Sequence, residues 1–140
     1  MRKKVMFFLI YWLPPITLAA IIFKLSSGMV PKASADYWTD FAAKKLAHVT
    51  FYGVLAILIF RALKAHGLST KKAAIWAVVI ATLYGGTDEI HQHFTQGRES
   101  RLRDVGFDGV GAIIAMYFTI KILPKLPKEI VDFAKNFEII

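Results

Sequence analysis

Four carboxylates stand out by position. Asp88 and Glu89 fall near the end of one apolar stretch, and Asp104 and Asp108 at the start of the next. Partners for them recur at helical spacing. Lys45, His48 and Tyr52 lie at i, i+3 and i+7; Tyr84, Asp88 and Gln92 at i, i+4 and i+8; Asp104 and Asp108 at i and i+4. On helices each set is a single stripe. Asp88, Glu89 and His48 are the candidate general acids and bases. Lys45, His48 and Arg98 are candidate phosphate holders through charge-assisted hydrogen bonds. Asp88 and Gln92 can take hydroxyls or amides and orient the cations. Tyr52, Glu89, Asp104 and Asp108 complete the candidate ligand-binding set.

Several of these residues also have plainer readings. Asp104 reads as the N-cap of its helix, where N–H groups lack partners and the dipole is positive. Arg101 and Arg103 read as solvated or lipid-bound, and Lys44 and Lys45 as chains that snorkel to headgroups. Tyr52 and Tyr84 fit interfacial or packing roles. His91 and His93, two residues apart on a helix, diverge. A metal set drawn from His48, Asp88, His91 and His93 lacks a ligand-spacing motif, so neither metal nor cofactor is expected. Asp88 and Asp108 are harder to explain away. They need cationic partners, for which Lys45, His48 and Arg98 are the choices.

The elements that must position these residues are apolar. Of 140 residues 56% are hydrophobic, 14% aromatic, and none is cysteine. So small a chain has too little interior for that much apolar surface, and lipid is the solvent that remains. Without cysteine, disulfides, thiolate metal sites and cysteine nucleophiles are excluded. The +8 charge is dispersed between apolar runs, which argues for lipid headgroups as partners and against nucleic acid.

The pattern predicts an all-α polytopic membrane protein with four transmembrane helices. The first run, Val5 to Phe23, is long enough to cross a hydrocarbon core of about 30 Å. Pro14-Pro15 in its middle predicts a kink, tolerable where neighbours satisfy the freed carbonyls. Ala33-Ser34-Ala35 resembles a signal-peptide cleavage site, but the apolar run is too long and Lys24 and Lys32 intervene. The second run is Leu46 to Leu63. The third starts after Lys71-Lys72 and continues through Asp88 to Phe94, and the fourth runs from Val105 to Leu123.

From Pro127 the spacing of Ile130, Val131, Phe133, Ala134 and Phe137 predicts an amphipathic helix on the membrane surface or packed on a loop. The expected division is a membrane domain over 1–123 and a tail over 124–140. The amino end, the 61–72 loop and the tail, counted with Lys121 at the end of the fourth run, carry 11 Lys/Arg against 7 in the 24–45 and 95–104 segments. Both termini are therefore expected on the cytoplasmic side of the cell membrane. The end of one span and the start of the next share a side, so all the polar stripes, with Lys24, Ser26 and Ser27, should form one extracytoplasmic cup. A charge at mid-bilayer costs roughly 2.5–3.5 kcal/mol on insertion scales, and facing the bundle interior relieves that cost.

Read together, Asp88-Glu89-x-x-Gln92-x-Phe94-x-x-x-Arg98-x-Ser100-x-x-x-Asp104, with Lys45-x-x-His48-x-x-x-Tyr52 before it and Gly109 and Gly111 after it, resembles the VanZ-like family. These are small bacterial membrane proteins named for a teicoplanin-resistance protein. The resemblance covers about residues 24 to 115 and implies a four-helix membrane domain with little assigned chemistry. One departure is Asp108, where the family pattern usually carries Asn; an amide donates and accepts, whereas a carboxylate only accepts.

The favoured expectation is an envelope protein that binds the headgroup of a lipid-linked or cell-wall precursor. A membrane enzyme working by carboxylate and histidine acid–base chemistry is the alternative, although no nucleophile elbow, phosphate loop or zincin motif is present. Proton-coupled or small-solute transport comes third, since no inverted repeat is visible. A purely structural cluster is the remaining reading.

Overall fold

A computed structural model describes residues 2–28, 34–95 and 101–140. Every regular element among them is helical. In chain order they are α1 (Arg2–Tyr11), α2 (Leu13–Ser26), α3 (Tyr37–Ala65), α4 (Thr70–His93), α5 (Leu102–Tyr117) and α6 (Lys128–Asn136); a π turn (Phe118–Ile122) and a 3-10 turn (Leu123–Lys125) extend α5. Two helical lines, Tyr37–Ala65 and Leu102–Lys125, are long and apolar enough to cross a membrane. The bent pair α1–α2 makes a third if it is one span. Helix α4 has the length, but Asp88, Glu89, His91 and Gln92 dilute its last two turns.

Local chemistry sets the helix ends. The first apolar run is two helices bent by 46° at Trp12. Pro14 and Pro15 lack N–H groups and suit the first turn of a new helix. The carbonyl of Ile10, which Pro14 would otherwise serve, accepts from Arg61 Nη1 at 2.9 Å. Helix α3 begins well before the expected Leu46 because Asp36 caps it, accepting from the Thr39 N–H and hydroxyl at 2.8 Å each. The Thr39 N–H holds the Asp36 carboxyl below the usual carboxylate range. Helix α5 begins at Leu102 instead of Val105. Its last turns widen to π before Pro124, whose missing N–H ends the α pattern.

Helices α3, α4 and α5 form the closely packed centre, and α1–α2 lie against α3 and α4. Ala73, Ala77, Ala81 and Gly85 recur every four residues along α4 and are buried. Such a ridge of small residues lets helix backbones approach, which is how bundles pack in lipid. The core they meet is Tyr52, Leu55, Ala56 and Ile59 of α3 with Ala112 and Met116 of α5. Large apolar residues, including Leu9, Ile75, Trp76, Leu83, Ile113 and Tyr117, are exposed on the outer faces. Water-soluble monomers rarely leave contiguous apolar surface uncovered.

One end of the bundle gathers the amino-terminal helix, the α3–α4 turn and the tail. Trp12 Nε1 donates to His66 Nε2 at 2.9 Å, Arg61 Nε donates to the Phe137 carbonyl at 2.6 Å, and Tyr11 donates to Glu138. Ala134 of α6 is buried, while Ile130, Phe133 and Phe137 are exposed.

The tightest crossing is α3 on α5. A Cβ at Gly111 would lie 2.4 Å from the Val49 carbonyl oxygen and 2.8 Å from its Cα. Backbone cannot step aside as a side chain can. Gly111→Ala should therefore lower stability by about 1–3 kcal/mol or more, read as a fall in melting temperature of the detergent-solubilised protein. Gly86→Ala, with nothing within 4 Å of the new Cβ, should leave it unchanged.

Candidate functional site

The α3–α5 crossing brings two ion pairs into register, one helical turn apart. Lys45 Nζ lies 2.6 Å from Asp104 Oδ1, and His48 Nδ1 lies 2.8 Å from Asp108 Oδ1. Lys45 thus reaches inward, contrary to the expectation that it snorkels. Its ammonium also stands 5.3 Å from the Phe41 ring centroid and 5.6 Å from that of Phe107, an environment that favours a cation. Lys44 pairs instead with Asp40, one turn back on its own helix, at 2.7 Å. The N-cap assignment of Asp104 is corrected. Arg101 occupies the cap, and Asp104 sits in the first turn, where the helix dipole still favours a carboxylate while its side chain is drawn across to Lys45.

Asp88 is held differently from the cationic pairing expected of it. Ser26 Oγ of α2 donates to its Oδ1 at 2.5 Å, and Gln92 Nε2 donates to its Oδ2 at 2.8 Å. Both described partners are neutral. Glu89, one residue on, accepts from the Arg101 backbone N–H at 2.8 Å. It thereby serves an N–H at the start of α5 that no side chain within α5 caps. Tyr52 lies fully inside. Its ring stacks parallel to His48 at 6.2 Å and tilts against Tyr84 at the same separation, and its hydroxyl is buried without a hydrogen bond of normal geometry. Tyr84 ties α4 to α2 by donating to the Ala19 carbonyl at 2.6 Å.

The predicted cup is therefore one cluster drawn from four helices. Lys45, His48 and Tyr52 come from α3, Asp88, Glu89 and Gln92 from α4, Asp104 and Asp108 from α5, and Ser26 from α2. Asp88, Glu89, Asp104 and Asp108 are each 5% exposed or less. Arg98 lies outside the described residues. His91 turns away to α2, stacking on Phe23 at 4.1 Å and meeting Ser27 Oγ at 3.0 Å, so the metal set His48, Asp88, His91 and His93 is not brought together. Arg103 places its guanidinium 5.2 Å from the Phe41 ring and its Nε 3.8 Å from Asp104, more engaged than a freely solvated chain.

Two features escaped the sequence. Glu89 acting for the α5 terminus could not be seen without the α4–α5 packing. Nor could the fit of Gly85 against Asp108, where an added Cβ would lie 2.5 Å from Oδ2; Gly85 at the end of the alanine ridge was the only hint.

Residues 4–123 match the VanZ/LLP1 family profile. The chain belongs to the VanZ/LLP1 family. No curated protein and no solved structure shows significant similarity to it. The match spans α1 through α5 and so includes the whole cluster. VanZ/LLP1 membership and the exposed apolar helices point together to a membrane protein of the cell envelope.

The His48–Asp108 pair yields a direct test. Asp108→Ala removes the acceptor of His48 Nδ1 and empties a fully buried position, and should cost about 3–5 kcal/mol. Asp108→Asn keeps an acceptor in place and should cost less than half as much. Thermal or denaturant unfolding of both variants in the same detergent decides it, and equal losses would mean that the pair does not hold the two helices.

Proposed function

We propose that this VanZ/LLP1 protein spans the cell membrane four times and binds the phosphate-bearing headgroup of a lipid-linked or cell-wall precursor in the polar cup. The observation that carries the reading is the cluster itself. Buried charge inside an apolar bundle is costly, so it tends to be kept where it lines a ligand site. The residues have complementary tasks. Lys45 and His48, with Arg98, supply positive charge to a phosphate. Asp104 and Asp108 hold Lys45 and His48 in place until the anion arrives. Asp88, Gln92 and Tyr52 offer acceptors and donors for hydroxyls or amides. Trp38 and Tyr37, exposed at the start of α3, suit the membrane–water boundary on the cup side.

In this arrangement α1–α2 and α4 are the spans that complete α3 and α5. The cup opens outward, both termini are cytoplasmic, and α6 rests at the inner surface with Ile130, Phe133 and Phe137 toward lipid. Residues 1–123 form the membrane domain and 124–140 its tail.

A specific observation favours a second reading, that of a membrane enzyme acting on the same lipid. A histidine whose Nδ1 is held by a buried carboxylate has its tautomer fixed and its Nε2 directed to other work, which is the arrangement of a general base.

Native mass spectrometry of gently extracted protein, incubated with a mixture of phospholipid and polyprenyl-phosphate-linked sugar, separates these readings. A stoichiometric lipid adduct on wild type that is lost on folded Asp88→Ala and Asp88→Asn supports headgroup binding. Conversion of the added lipid, abolished in His48→Gln, supports the enzyme, and absence of both sinks the proposal. For topology, single cysteines at Val30 and Glu99 should label from outside intact cells and one at Lys71 should not. Labelling of only one of the first two would break the four-span arrangement.

A further inference from the structure

Three of the cup's side chains, each from a different helix, face one another. His48 of α3, Glu89 of α4 and Asp104 of α5 each bring one ligand atom within 4.8 Å of the other two. Zinc binds imidazole nitrogen and carboxylate oxygen at about 2.0–2.2 Å, so its ligand atoms stand roughly 3–4 Å apart, and a small inward adjustment of rotamers would close the set. The grouping is not a property of any one helix, since it exists only when all three pack.

Two independent observations indicate that the space between them suits a cation. The first concerns His48. Its Nδ1 is occupied by Asp108 at 2.8 Å. A metal-bound histidine characteristically gives its other ring N–H to a carboxylate, which fixes the ring and leaves a nitrogen lone pair for the ion. The second concerns Asp104. It is more than nine-tenths buried with its Oδ1 2.6 Å from the Lys45 ammonium, and a carboxylate can serve an ammonium and an ion together.

We propose that His48, Glu89 and Asp104 form a site for a divalent cation of the zinc or manganese type, which would take one further oxygen ligand. One nitrogen and two carboxylates suit these ions better than calcium, which takes six to eight oxygens. The open position lies in the same cup as Lys45, so the ion can receive a phosphate oxygen that Lys45 alone would hold weakly while engaged to Asp104. This last step rests on the headgroup reading; binding of the ion does not.

The test uses the full chain, stripped with chelator in detergent micelles, and titrates Mn²⁺ and Zn²⁺ separately by calorimetry and native mass spectrometry, with no lipid added. One ion per chain is expected. Glu89→Gln keeps an oxygen for the Arg101 N–H but removes the charge, and His48→Gln removes the nitrogen; either should abolish stoichiometric binding. Asp108→Asn, at a residue that bonds to His48 and is not itself one of the three ligands, should weaken binding by about 10–100-fold. Gly86→Ala, with nothing within 4 Å of the new Cβ, should not weaken it. Helix content and elution volume confirm that each variant is folded, and two ligand variants guard against the failure of one. No stoichiometric ion on folded wild type, or an ion retained unchanged by both Glu89→Gln and His48→Gln, overturns the site. Repeating the lipid experiment with and without chelator separates the two claims. A lipid adduct indifferent to chelator removes the ion from headgroup binding. Ion binding without any adduct overturns the headgroup reading and leaves the site standing.

Discussion

The arrangement depends on how closely α3 and α5 can approach. Gly111 against Val49, with Gly53 facing the Gly111 carbonyl, permits the two backbones to touch. At that separation Lys45 reaches Asp104 and His48 reaches Asp108 across the interface. A side chain at Gly111 would hold the helices apart, and the same four groups would then be isolated charges in an apolar setting. Such charges are far more costly than paired ones. The glycine contact and the ion pairs are thus one device: the steric gap makes the electrostatics affordable, and the electrostatics fixes the register of the two helices.

Helix α4 completes the cluster by a different physical route. Its ridge of Ala73, Ala77, Ala81 and Gly85 brings its backbone into the α3–α5 groove, and the carboxylates one turn further on arrive buried. There each accepts from a neutral hydrogen-bond donor. Asp88 takes the Ser26 hydroxyl and the Gln92 amide, and Glu89 takes the first N–H of α5.

The opposite end of the molecule manages a backbone problem. Two consecutive prolines break the first helix and leave the Ile10 carbonyl without its donor. Arg61 of α3 supplies one, and with the same guanidinium group holds the Phe137 carbonyl of the tail. The bend, the α3 terminus and the tail are tied together there by one side chain, about the length of a span away from the cup. The charged cluster thus lies at one pole and this backbone tie at the other.

Much of this was legible in the residues alone. Periodicity placed Lys45, His48 and Tyr52 on one stripe, and Asp88 and Gln92 on another. Topological necessity put these stripes at one end, because a helix and its successor turn at the same side. The apolar excess, the helical class and the family resemblance came from composition and motif. Partner choice did not, because it depends on distances between helices that no spacing along the chain encodes. The sequence could offer Asp88 only the cations in reach, but packing gave it Ser26 and Gln92. It offered Lys45 as a cation for Asp88 or Asp108 and read Asp104 chiefly as a cap, whereas the α3–α5 approach joined the two. The meeting of His48, Glu89 and Asp104 at one point was likewise decided by tertiary structure, since their spacings along the chain constrain no distance across the bundle until three backbones have closed on one another.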